Sequence, residues 1–176
     1  MSLTIRAASA EDADAIAGVH IDGWRWGYRG QLPDEFLDGL DPVTRAARWR
    51  AILAGELGPA STFVAEREWR VVGFASCGPA RDDDSSGAGE VYAIYVEESA
   101  AGTGVGAALL HQVVMELRDR FAFDSAFLWV LESNARARRF YEREGWLADG
   151  VAKTDVLGGV TVRELRYRAR TIGRSP

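Results

Sequence analysis

The stretch Val91-Tyr-Ala-Ile-Tyr-Val-Glu-Glu-Ser-Ala-Ala-Gly-Thr-Gly-Val-Gly106 decides how this chain is read. Its first six residues are almost continuously apolar, which predicts a central strand covered on both faces. Glycines stand at 102, 104 and 106, at the start of a pattern with Val105, Leu109, Val113 and Leu117 on one helical face. A strand, a loop poor in side chains and a helix start bring several backbone N–H groups around one point. The helix end adds partial positive charge there, so the loop suits a diphosphate. A plain turn with a helix cap makes the same demands on the sequence.

Outward from this stretch, strands and helices alternate. Residues 126–131 read as a second apolar strand and 134–144 as a short helix stopped by Gly145. Residues 146–157 and 160–167 read as a hairpin around Gly158-Gly159, with a frayed tail over 169–176. Upstream, residues 3–7 read as a strand, and Ser9 with Glu11, Asp12 and Asp14 as the start of a helix running to about Arg29. Asp41-Pro42 starts another helix carrying Ala46, Trp49, Ile52 and Leu53. Residues 62–66 and 71–77 form a strand pair, and residues 81–89 an acidic, glycine-rich loop. This order predicts an α/β fold, a sheet covered by helices.

The chain has 176 residues, 47% of them hydrophobic, enough for one domain over 1–176 with a sizeable core. A net charge of -5 argues against nucleic acid or an anionic membrane surface as partner. No apolar run nears the ~18 residues of a membrane span, and residues 1–10 lack a charged start followed by an apolar stretch. Cys77 is the single cysteine, which fits a reducing compartment and a cytoplasmic location. His20, His111 and Cys77 lack metal-ligand spacing, so no metal is expected.

Two phosphate-binding patterns compete for the loop. A P-loop is excluded because no Gly-Lys-Ser/Thr follows. Gly102, Gly104 and Ala107 fit the dinucleotide spacing, with Glu132 as the acid after the next strand. Against it, residues 97–101 separate strand from loop, and half the chain precedes it. A second signal is Leu131-Glu-Ser-Asn-Ala-Arg-Ala-Arg-Arg-Phe-Tyr-Glu-Arg-Glu-Gly-Trp146. Asn134 and Tyr141 stand two helical turns apart on one face. Asn134 also suits a helix cap, and Phe140 and Tyr141 suit core anchors.

Together, the glycine loop and the Asn134–Tyr141 pair resemble the GNAT family of N-acetyltransferases, over nearly the whole chain. The resemblance implies a mixed, mostly antiparallel sheet of about seven strands with flanking helices, splayed at strands 4 and 5. It implies acetyl-CoA as cosubstrate, direct transfer to a primary amine in a ternary complex, and a small-molecule or peptide N-terminal acceptor. Homodimers are common in that family. Backbone groups of Ile94, Tyr95 and Val96 would face the pantetheine arm, and Asn134 would hydrogen-bond it. Ala101, Gly102, Thr103, Gly104, Val105 and Gly106 would hold the diphosphate. The family's loop usually begins with Gln or Arg, here Ala101, and carries a basic residue where this chain has Thr103. Arg136, Arg138 and Arg139 are candidates for the 3′-phosphate. Trp24, Trp26 and Tyr28 would line the acceptor site, with the acidic residues 82–84 nearby.

The chemistry assigns two further roles. A lysine-like amine costs about 4.6 kcal/mol to deprotonate at pH 7 and an α-amine only about 1.4 kcal/mol. Glu90, where the sheet would open, is the candidate base. Tyr141 is the candidate hydrogen-bond donor to the departing thiolate, while Cys77 reads as a buried strand residue. A non-turnover CoA-binding regulatory domain and a dinucleotide-dependent oxidoreductase are the alternatives.

Overall fold

The computed structural model describes residues 2–81 and 87–171. Seven strands form one sheet: β1 (Leu3–Ala7), β2 (Ser61–Arg67), β3 (Arg70–Pro79), β4 (Gly89–Val96), β5 (Ser125–Leu131), β6 (Leu147–Leu157) and β7 (Val160–Arg170). Their spatial order is β1-β2-β3-β4-β5-β7-β6. Only β4 and β5 run parallel; every other neighbouring pair is antiparallel. Among the described residues five α-helices flank the sheet: α1 (Ala13–Tyr28), α2 (Asp34–Asp38), α3 (Pro42–Leu53), α4 (Val105–Asp119) and α5 (Ala135–Arg143).

Each face has its own core. The apolar face of α4 buries Val105, Leu109, Val113 and Leu117 against Ala75, Val91, Ala126 and Leu128. Each such leucine or valine contributes about 1.5–3 kcal/mol by leaving water. Tyr141 of α5 joins the same cluster. On the opposite face, Ile16 and Ala17 of α1 and Trp49 of α3 cover Val64 and Phe74. Asp41 caps α3 by accepting from Val43 N and Thr44 N, and Pro42 occupies its first turn.

A bulge makes β4 serve both faces. Ser76 pairs with Ala93 and Cys77 with Val91, so Tyr92 is the extra residue. Past it the alternation reverses. Val91, Ile94 and Val96 join the α4 core, while Ala93 and Tyr95 join the α1–α3 core. Gly23 lets Tyr95 approach α1 closely, since a Cβ there would lie 2.9 Å from the ring.

The expectation of a frayed tail over 169–176 is corrected for residues 169–171, while residues 172–176 lie outside the described residues. Ala169 pairs with Ala126 and Arg170 with Ser125 in β7. Thr171 N donates to Asp124 O, and the Thr171 hydroxyl donates to Phe123 O. Those partners lie far away in sequence, so the tail's own composition does not announce them. Residues 82–84, the acidic run, lie outside the described residues.

Candidate active site

The site begins where the sheet parts. β4 and β5 pair only at Gly89↔Ala126 and Glu90↔Phe127. Beyond Glu90 the strands diverge, and a cavity of about 490 Å³ opens between them. Its walls include Ile94, Tyr95 and Val96 of β4, Leu128 and Val130 of β5, and Asn134 and Tyr141. The β4 edge facing this gap has no strand partner, which leaves backbone groups available to an extended ligand.

The glycine loop closes one end. Ala101, Gly102, Gly104 and Gly106 line the cavity. Gly102 and Gly104 hold φ of 73° and 88°, a left-handed conformation that side chains resist. The first helical bond of α4 runs from Ala108 N to Gly104 O. The amides before it point out of the helix end, as anion binding requires. Thr103 and Val105 do not line the cavity: Val105 is fully buried in the core, and the Thr103 hydroxyl donates to Ala100 O at 2.7 Å. Neither side chain reaches the cavity.

Tyr141 is buried but forms part of the cavity wall. Among the described residues no hydrogen-bond partner meets its hydroxyl. Burial, reinforced by nearby Tyr28, pushes its pKa above the usual tyrosine value. It therefore stays protonated as a donor throughout ordinary pH. Asn134 Oδ1 accepts from Ala137 N at 3.1 Å as the cap of α5. That bond uses the oxygen and leaves the amide N–H₂, as a donor, to the cavity.

Glu90 stands at the opening, as expected, but its carboxylate is occupied. Arg81 Nη2 meets Oε1 at 2.5 Å and Arg81 Nε meets Oε2 at 3.1 Å, while Arg81 N also donates to Oε2 at 3.0 Å. Glu90 is 2% exposed and does not line the cavity. Ala80 N donates to Ala88 O, which brings Arg81 beside this strand end.

The aromatic residues divide. Trp26 and Tyr28 line the cavity; Trp24 does not. Trp24 packs edge-on against Tyr28 at 5.2 Å and His20 at 5.9 Å, inside an aromatic cluster beside Phe36. Tyr28 and Tyr95 hydroxyls lie 3.2 Å apart. His20 Nδ1 accepts from Trp49 Nε1 at 3.1 Å. Burial, aided by Arg45 and Arg48, pushes His20 down to about 3. Burial pushes the Cys77 thiol up to about 12, and it is wholly inaccessible, so it is no nucleophile.

The three arginines of α5 also divide. Arg136 lines the cavity and stacks 3.7 Å over the Trp26 ring. Arg138 is held away by Tyr167 Oη and Glu132 O, and Arg139 is exposed. The sequence reading missed Tyr92, Trp129 and Arg143, which line the cavity too. Trp129 was detectable in principle: alternation along β5 puts 127, 129 and 131 opposite the α4 core.

This geometry fits a CoA ester. An unpaired strand edge suits a pantetheine arm, and open left-handed glycines ahead of α4 suit a diphosphate. Residues 21–146 match the Acetyltransferase (GNAT) family. The chain belongs to that family. A relative, an uncharacterized N-acetyltransferase of Bacillus subtilis (strain 168), is 38% identical over 134 residues, 75% of this chain and 73% of that protein. A probable N-acetyltransferase of Mycobacterium tuberculosis is 29% identical over 168 residues, 95% of this chain and 93% of its own. The crystal structure of PaiA N-acetyltransferase from Thermoplasma acidophilum, in complex with coenzyme A, shares the fold. Its TM-score is 0.75 at 16% identity, over 97% of this chain and 99% of that chain. This GNAT protein is thus an acetyltransferase with acetyl-CoA as cosubstrate. Among the described residues no group of three or more His, Cys, Asp or Glu is placed to hold a metal. No helix among them is long and apolar enough to cross a membrane.

Proposed function

We propose that this chain transfers acetyl directly from acetyl-CoA to a primary amine in a ternary complex, and that its preferred acceptor is an α-amine. The observation that carries the reading is Tyr141, a largely buried residue in the wall of the β4–β5 gap whose hydroxyl meets no hydrogen-bond partner among the described residues. Bound acetyl-CoA supplies the thioester carbon that the amine attacks. Amides of Gly102, Gly104 and Gly106 hold the diphosphate, the open edge at Ile94, Tyr95 and Val96 holds the arm, and Asn134 donates to it. An N–H of that edge stabilises the oxygen that gains charge. Tyr141 donates a hydrogen bond that strengthens as the sulfur becomes a thiolate.

The acceptor preference follows from Glu90. With both carboxylate oxygens bound by Arg81, the site offers no disengaged base there. An α-amine of pKa about 8 is already ~10% neutral at pH 7, whereas a lysine amine is ~0.04% neutral. Trp26 and Tyr28 form the approach for the acceptor. In this reading Glu90 anchors Arg81 and the strand end.

The test is a thiol-release assay over α-amines, peptide N-termini and lysine-type amines, with wild type and Glu90→Gln. The expected result is faster turnover with α-amines and a pH profile that follows the amine's own pKa in both proteins. Faster turnover of lysine-type amines, abolished by Glu90→Gln, would return the base role to Glu90.

A further inference from the structure

The glycine loop carries Ala101 where the family usually has Gln or Arg and Thr103 where it has a basic residue, yet a cation reaches it from elsewhere. Arg67 is the last residue of β2 and pairs with Arg70 across a two-residue turn. Both turn residues, Glu68 and Trp69, hold positive φ, 50° and 66°, which matches the tight twisted hairpin that fixes this register. From there Arg67 Nη2 donates to Thr103 Oγ1 at 2.9 Å and to Thr103 O at 3.4 Å. The Thr103 hydroxyl in turn donates a hydrogen bond to Ala100 O, so the loop is tied on both sides of Ala101 and Gly102.

We propose that Arg67 is the positioning residue of the diphosphate loop, supplying from β2 the positive charge that Ala101 and Thr103 do not. The neighbouring arginine offers a contrast. Arg70 Nη2 is neutralised by Glu97 at 2.7 Å. Arg67 has no ion pair among the described residues, so its full charge stays beside the loop. The bonds hold Thr103 while Gly102 and Gly104 keep left-handed φ, and a chain held that way loses less entropy when it closes on a ligand. The charge favours a dianionic diphosphate and is screened by salt. Arg67 does not line the cavity, so its action runs through the loop and through space.

This inference rests on the loop's role in binding CoA, and the experiment separates the two. Full-length wild type, Arg67→Ala, Arg67→Lys and Arg70→Ala are titrated calorimetrically with CoA and with pantetheine, which lacks the diphosphate. Hydrogen exchange at residues 102–106 is followed without ligand. Arg67→Ala is expected to weaken CoA about tenfold, less so at high salt, with pantetheine affinity unchanged and faster loop exchange. Arg67→Lys restores part of the CoA affinity, because charge returns without the fork. Arg70→Ala, which removes the same charge from the same hairpin, stays within about twofold of wild type. Unchanged CoA affinity in Arg67→Ala, equal losses for pantetheine, or an equal loss in Arg70→Ala overturns the assignment. Failure of wild type to bind CoA removes the loop reading and this one together.

Discussion

Strand β4 has two unlike edges. Toward β3 it is paired from Gly89 to Val96, interrupted only at the Tyr92 bulge. Toward β5 the ladder ends after Glu90. The closed edge belongs to a packed core, where Trp49 Nε1 donates to His20 Nδ1 and Cys77 is inaccessible. The open edge leaves backbone polarity, a glycine loop and the Tyr141 hydroxyl around one cavity. One strand thus has a paired, packed edge on one side and an open, cavity-lining edge on the other, and the bulge lets its side chains feed both cores.

Substitutions on the open side should change catalysis and leave the fold alone. Tyr141→Phe is expected to lower kcat about 100-fold with little change in the KM for acetyl-CoA. Because burial holds the Tyr141 pKa above its usual value, that factor should be constant from pH 7 to 9. A KM effect larger than the kcat effect would reduce Tyr141 to a packing residue. Gly104→Ala forces a Cβ into φ 88°, at about 1–2 kcal/mol, so CoA affinity should fall about tenfold. Equal affinity for CoA in the variant would remove the need for a left-handed loop.

A change on the closed side should do the reverse. His20 stays neutral when folded, with its pKa pushed down to about 3 from 6.5. The unfolded chain takes up that proton below about 6.5 and the folded chain does not. Stability is therefore complete above pH 6.5 and falls progressively toward pH 3, by about 2 kcal/mol at pH 5. Denaturant melts at pH 7 and pH 5 should show this loss in wild type and lose most of it in His20→Gln, with kcat at pH 7 unaffected. An equal pH 5 loss in the variant would place the sensitivity elsewhere, the first alternative being the carboxylates.

How much of this was legible beforehand varies by region. The α4 face and the glycines at 102, 104 and 106 declare themselves because a long helical period and a side-chain-free loop are local patterns. The parting of β4 from β5 is not local: both strands read as uniformly apolar, and only the family resemblance predicted the split. Helical spacing put Trp24 and Tyr28 on one face, yet only Tyr28, at the end of α1, reaches the cavity. Glu90 lies where the β4–β5 ladder ends, while its contact with Arg81 is a tertiary pairing that no local pattern announces. Arg67 and Thr103 are brought together by sheet topology, across a separation that no sequence period spans.

Acetyl-CoA is expected to occupy the open edge of β4 and to spare the closed one. Hydrogen exchange of the full chain with and without acetyl-CoA measures this most directly. Protection is expected at Ile94, Tyr95 and Val96 and across residues 102–107, with β2 and the β3 amides unchanged. Protection spread evenly over both edges, or none at β4, would contradict the account.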